Sequence, residues 1–167
     1  MIGATRRSYE AGHRPKFLVV IDDTPECSRA IRFGARRCAR TGANLVMLAI
    51  VDPPDNFEWL GVGEALREEA EEEAGIRLDE AVRTAKEASP GLEPERVIKL
   101  ADKDEAIRQL IEEDQDISFL VLASGVGSSG PGPLVSMIAG RMSGTFPVPI
   151  VIVPGDLADE AIDALAG

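Results

Sequence analysis

The feature that most constrains this sequence is a series of short apolar runs, each followed by a segment with helical periodicity. The first run, residues 17–21, reads Phe-Leu-Val-Val-Ile and stops at two aspartates. A strand that is apolar at every position is typical of the middle of a parallel sheet, where helices cover both faces. Further strands are predicted at residues 45–51, 96–100, 118–123 and 149–153.

The segments between these strands carry apolar residues three and four positions apart, which is the period of an amphipathic helix. Thr24 is predicted to cap the first helix, Pro25 to occupy its first helical position, and Gly42 to end it. Further helices are predicted over residues 64–88, from 102 onwards, and from 134 to about 143. In a chain of 167 residues this alternation predicts one α/β domain, a three-layer α/β/α sandwich around a parallel sheet with right-handed crossovers.

The two ends of the chain depart from this pattern. Residues 1–15 are polar and lack periodicity, so they are predicted to form a flexible arm. Residues 155–167 have helical spacing and are predicted to form a helical tail, which could cover the edge of the last strand or exchange with a second copy. The domain itself is predicted to span residues 16–154.

The charge balance limits the classes of partner. The chain has 29 acidic and 18 basic residues and a net charge of −11. A protein that binds nucleic acid or an anionic lipid surface needs clustered cations, so neither partner is expected. No apolar run approaches the roughly 20 residues that span a bilayer, and no apolar stretch follows the basic residues near the start. We therefore expect a cytoplasmic protein.

No catalytic set and no metal site are predicted. His13, the only histidine, falls in the arm, so Ser128 and Ser129 have no evident base. Histidine and cysteine are also too scarce for a zinc site. Cys27 and Cys38 both fall in the first predicted helix, roughly 16 Å apart at its rise per residue, and are interpreted as packing residues that form no bridge.

Two segments are expected to meet at one edge of the sheet, residues 22–24 after the first strand and 124–133 after the fourth. In parallel α/β sheets, ligands bind outside the carboxyl ends of the strands, where the strand order reverses. The second segment, SGVGSSGPGP, could bind an anion through its amides, or it could be a connector rich in turn residues. No lysine follows its glycines as in a Walker A loop, so a triphosphate would depend on backbone dipoles, a divalent metal and Arg141.

The paired aspartates have two interpretations of equal weight. Asp22 and Asp23 could hold a metal ion or a ribose hydroxyl, or their carboxylates could cap nearby amides at the strand end.

Several stretches of the chain, in order and spacing, resemble the universal stress protein family. They are the strand and turn at residues 17–26, the strand ending at 48–53, the strand 121–123 before a glycine loop, and the segment 147–153. The resemblance extends over residues 15–154 and implies a five-stranded parallel sheet in the order 3-2-1-4-5, the Rossmann-like fold of adenine-nucleotide alpha-hydrolase-like proteins. It also implies homodimers paired through the last strand, Pro149 to Val153, and a role in stress survival or signalling.

One branch of that family binds ATP through a loop patterned G-x2-G-x9-G-[S/T]. Aligned without gaps on the fourth and fifth strands, these positions become Ala123, Val126, Ser136 and Met137. A shift of four residues places them instead at Gly127, Gly130, Gly140 and Arg141. We prefer the ungapped register because it preserves the Pro147-x-Pro149 ending.

The resemblance further implies that Asp22 contacts the nucleoside and that Ile50 lines the adenine pocket. Across both registers, the candidate nucleotide-binding residues are Asp22, Asp23, Thr24, Ile50, Ala123, Gly125, Gly127, Gly130, Ser136, Met137 and Arg141.

The leading hypothesis is a non-catalytic, dimeric stress-response or signalling protein that binds an adenine nucleotide, ATP or AMP with Mg²⁺, through altered phosphate contacts. An alternative is an ATP-binding protein with slow ATP hydrolysis, in which Asp22 or Asp23 holds Mg²⁺. A third is an interaction module without a bound cofactor.

Overall fold

Five parallel strands form the sheet at the centre of the computed structural model, which describes residues 5–53 and 63–167. The strands lie in the order β3-β2-β1-β4-β5, and every neighbouring pair is parallel, which confirms the predicted topology. Their bounds are β1 Lys16–Ile21, β2 Asn44–Val51, β3 Glu95–Leu100, β4 Ile117–Ser124 and β5 Ile150–Pro154.

Helices cover both faces of this sheet. Their bounds are α1 Cys27–Thr41, α2 Gly63–Ala88, α3 Lys103–Glu113, α4 Pro133–Val135 and α5 Asp159–Ala166. Helices α1, α2 and α5 bury their apolar residues on one face, and α3 and α4 bury theirs on the other. The three-layer sandwich predicted from the sequence is therefore confirmed.

Strand β1 supplies side chains to both cores, which explains its unbroken apolar run. Phe17, Val19 and Ile21 pack on the side of α1 and α2, whereas Leu18 and Val20 pack on the side of α3. Successive side chains of a strand point to opposite faces, so a strand covered on both faces needs an apolar residue at every position.

Helix α1 begins two residues later than predicted, at Cys27 instead of Pro25. The Thr24 amide and hydroxyl both donate to Asp22 Oδ1, at 3.0 and 2.5 Å, so the threonine is held in a turn with the aspartate. The helix starts at Cys27 with Glu26 as its N-cap residue, and no side chain caps it. The predicted N-cap role of Thr24 is wrong because this local bond competes with the helix for the same side chain.

The helix predicted from residue 134 to about 143 is also divided. The α-helical part, α4, has three residues and is followed by a π-helix over Ser136–Arg141 and a 3-10 turn over Ser143–Thr145. The Met142 amide donates to the Met137 carbonyl at 3.2 Å, the i→i+5 bond of a π-helix. Apolar spacing predicts where such a segment is buried but not how tightly it winds.

Residues 5–15 lie against the loop that precedes β4. The Arg7 amide donates to the Gln115 carbonyl at 2.8 Å, and His13 Nδ1 lies 2.7 Å from Asp116 Oδ1. Ser8, which follows Arg7, is buried. The flexibility predicted for residues 1–15 stays a prediction.

The carboxyl-terminal helix α5 packs on α1. Two nitrogens of Arg32 donate to the two oxygens of Asp163, each at 2.7 Å, and the hydrogen bond from Arg32 lowers the pKa of that carboxyl. Beneath this pair, Ile162 has no exposed surface. The apolar face of the tail is buried on the α1 side of the sheet. That the tail covers the β5 edge or exchanges with a second copy stays a prediction.

Cys27 and Cys38 are both buried and unbridged, as predicted. Desolvation by burial raises the pKa of each thiol to about 12, so both stay protonated at neutral pH. None of the helices in the described part of the chain combines the length and apolar character that a bilayer crossing requires.

We expect Ile162→Ala to lower the free energy of unfolding by about 2–5 kcal/mol, the usual cost of removing a fully buried aliphatic side chain. Leu165→Ala, in the same helix but at a position 67% exposed, is the matched control and should change stability by less than about 0.5 kcal/mol. Urea denaturation of both variants measures this. Equal losses of stability in the two variants would mean that α5 is not packed on α1 in solution.

We also expect Gly155→Ala to destabilise the protein, because a methyl group there would clash with the Ser124 carbonyl oxygen and lie 3.0 Å from Glu26 Cβ. Gly140→Ala is the control, since a methyl group at that π-helical position meets no atom within 4 Å. Thermal melting of both variants should show a lower Tm for the first alone. A Gly155→Ala variant as stable as the wild type would contradict this close approach of Gly155 to the end of β4.

Candidate functional site

A crevice of about 140 Å³ opens at the carboxyl edge of the sheet, between the ends of β1 and β4. The two strands are neighbours and parallel, so both chains leave the sheet at the same edge. The turn at residues 22–24 forms one wall of the crevice, and residues 131–135 form the other. The two segments that the sequence analysis expected to meet therefore do meet.

The remaining lining residues come from the strands and from the starts of two helices. Val20 of β1 and Leu122 and Ala123 of β4 supply an apolar floor. Lys103, the first residue of α3, supplies an ammonium group.

Asp22 is held by the turn that follows β1. Its Oδ1 accepts both hydrogen bonds from Thr24, which fixes the carboxylate at the wall of the crevice. Asp22 therefore caps a nearby amide, which is one of the two roles predicted for the aspartates. Asp23 also lines the crevice and is exposed.

The glycine-rich loop is folded back on itself. The Gly125 amide donates to the Pro131 carbonyl at 2.9 Å, and the Gly130 amide donates to the Gly127 carbonyl at 3.3 Å. Gly127, Gly130 and Gly132 have positive φ values of 107°, 83° and 101°, in the region that side chains rarely adopt. Two of the amides that could have bound an anion are therefore bonded within the loop.

Glu26 reaches from the start of α1 to this loop. A methyl group built on Gly125 would lie 3.2 Å from Glu26 Oε1, and one built on Gly132 would lie 4.0 Å from it. The carboxylate thus lies beside the backbone at both ends of the loop, and it lines the crevice. A glycine is needed at position 125, because a methyl group there would lie 2.9 Å from the Gly130 carbonyl oxygen and 3.2 Å from Glu26 Oε1.

Sequence reasoning did not select Glu26 or Lys103 as site residues. A signal existed for each: Glu26 directly follows the Thr24-Pro25 pair, and Lys103 begins the helix after β3, whose carboxyl end lies at the same edge of the sheet.

Four of the candidate residues line the crevice, namely Asp22, Asp23, Thr24 and Ala123. Gly125 adjoins it through its contact with Glu26. Ile50 and Met137 are partly buried against the core under α3 and α4, and Ser136 and Arg141 are exposed. In the described part of the chain, the crevice lining does not include these residues (Ile50, Met137, Ser136 and Arg141), and it does not include Gly127 or Gly130. Their contacts with a ligand stay predictions.

Within residues 5–53 and 63–167, no three or more histidine, cysteine, aspartate or glutamate side chains are grouped to hold a metal ion.

Solved structures share this fold. The universal stress protein UspA from Lactobacillus plantarum is 17% identical, with a TM-score of 0.67 over 83% of this chain and 97% of that one. A universal stress protein from Archaeoglobus fulgidus in complex with dAMP is 17% identical, with a TM-score of 0.59 over 83% of this chain and 97% of that one. A universal stress protein in complex with cAMP is 18% identical, with a TM-score of 0.55 over 85% of this chain and 98% of that one.

No curated protein matches this chain. The model of the universal stress protein family matches residues 13–154, which comprise all five strands and the crevice between β1 and β4. The resemblance noted in the sequence is therefore confirmed, and the chain belongs to the universal stress protein family.

Proposed function

We propose that this universal stress protein is a non-catalytic stress-response or signalling protein that binds an adenine nucleotide of the AMP type in the crevice between β1 and β4. The observation that carries the proposal is the meeting of the Asp22 turn with the glycine-rich loop at the carboxyl ends of two neighbouring strands. Ligands of open α/β sheets bind at such positions. The complexes of two structural relatives with cAMP and dAMP support this ligand class.

The chemistry of the lining fits a nucleoside with few phosphates. Val20, Leu122 and Ala123 offer an apolar surface for a base, and the oxygens of Asp22 and Asp23 would accept hydrogen bonds from ribose hydroxyls. Lys103 would pair with a phosphate. The phosphate contacts would differ from those of the ATP-binding branch, because the Gly125 and Gly130 amides are bonded within the loop.

The alternative function, slow ATP hydrolysis with Mg²⁺ held by Asp22 or Asp23, stays a prediction. No observation in the described residues favours it.

Calorimetric titration should detect AMP binding to the wild type at submillimolar concentrations. Asp22→Asn should weaken that binding by about tenfold, because a charged acceptor for a ribose hydroxyl is lost while the shape of the side chain is kept. Glu160→Gln, which neutralises an exposed carboxylate on α5, is the control and should leave AMP binding unchanged. If neither adenosine nor AMP binds to the wild type, the nucleotide proposal is wrong.

We further propose that two copies pair through the edge strand β5. In the part of the chain that the structure describes, β5 pairs only with β4, and Ile152 of β5 is 40% exposed. An apolar strand with an open edge favours pairing with another copy of the same strand.

Light scattering at micromolar concentration should then give the mass of a dimer, and Ile152→Lys should shift it toward the monomer. Leu165→Lys, at a more exposed apolar position on α5, is the control and should leave the mass unchanged. A monomeric wild type would contradict the proposed pairing.

A further inference from the structure

Glu26 places a carboxylate at the loop side of the crevice. The residue precedes α1, and its side chain extends away from the helix to the glycine-rich loop. The methyl positions of Gly125 and Gly132 lie 3.2 and 4.0 Å from its Oε1, and that of Gly155 lies 3.0 Å from its Cβ. The backbone of the loop and of the segment after β5 therefore lies beside this side chain.

The carboxylate is not neutralised by its surroundings. Across residues 5–53 and 63–167, no group donates a hydrogen bond to it or forms an ion pair with it, and it does not cap α1. The crevice lining contains two other carboxylates, Asp22 and Asp23, against the one ammonium group of Lys103. The lining thus carries an excess of negative charge, and part of that charge lies beside the loop.

This arrangement penalises a ligand with several phosphates. Like charges brought together in a partly desolvated crevice repel one another, and each added phosphate increases the repulsion. Loop amides could offset that charge, but the Gly125 and Gly130 amides are bonded to Pro131 and Gly127. A neutral nucleoside avoids this penalty, and a monophosphate incurs less of it than a triphosphate.

We propose that Glu26 is a specificity-determining residue that restricts the crevice to adenine ligands of low phosphate charge. This inference rests on the proposed function, since it assigns the class of nucleotide that the same crevice accepts. In this role Glu26 acts by repulsion and forms no favourable contact with the ligand.

Two other roles of Glu26 make different predictions. If the carboxylate accepted a hydrogen bond from a ribose hydroxyl, its loss would weaken adenosine as well as nucleotides. If the side chain only filled space beneath the loop, an isosteric amide would change no affinity.

The test compares the wild type, Glu26→Gln and Glu87→Gln by calorimetric titration with adenosine, AMP and ATP in EDTA. Glu87 is an exposed carboxylate on α2, outside the crevice lining, so its variant controls for the change in net charge. Glu26→Gln keeps the volume of the side chain, and a thermal melt of this variant checks that the protein is folded.

We expect Glu26→Gln to leave the Kd of adenosine unchanged and to lower the ratio of the ATP Kd to the adenosine Kd by about tenfold. AMP should shift by a smaller factor, and Glu87→Gln should leave all the ratios unchanged. Raising the ionic strength should reduce the discrimination of the wild type against ATP, because salt screens the repulsion.

The outcomes separate the two proposals. Unchanged ratios in Glu26→Gln, or weaker adenosine binding, would overturn the inference while leaving nucleotide binding intact. If the wild type bound none of the three ligands while Glu26→Gln bound ATP, the inference would be supported and the proposed function of the wild type would be contradicted. Failure of all three ligands with both proteins would overturn both.

Discussion

The central position of β1 is the constraint on which the rest of the structure depends. Val19 lies opposite Met47 of β2 on one side and Val121 of β4 on the other, and all three are fully buried. A strand paired along both edges and packed on both faces cannot slide without breaking its hydrogen bonds to both neighbours and repacking two cores. The end of β1 is therefore fixed relative to the end of β4, and so is the opening between them.

The fold was predictable because its signal is repeated along the chain. Each apolar run marks a strand, and the parallel order follows once helices separate the strands. The two errors within predicted helices both concern local backbone geometry, which apolar spacing does not encode. Thr24 bonds to Asp22 instead of capping α1, and the segment from Ser136 winds as a π-helix although its burial pattern is that of an ordinary one.

The site was predictable only in part. Asp22 directly follows β1, and Ala123 is the next-to-last residue of β4. Their position at the edge of the sheet therefore follows from the topology. Glu26 was missed because a lone glutamate at the start of a helix is usually solvated, and only the path of the glycine-rich loop shows what its carboxylate faces. A loop with three left-handed glycines has no periodicity from which that path could be read.

The ion pair between Arg32 of α1 and Asp163 of α5 has a mechanical consequence. The last helix of the chain is anchored through Arg32 to the same helix whose first turn adjoins Glu26. Tension applied after Gly167 would therefore pass directly into α1. The described arm contacts the residues that precede β4 and leads directly into β1. A load on either end of the described chain therefore reaches an element that borders the crevice, α1 from Gly167 and β1 from the arm.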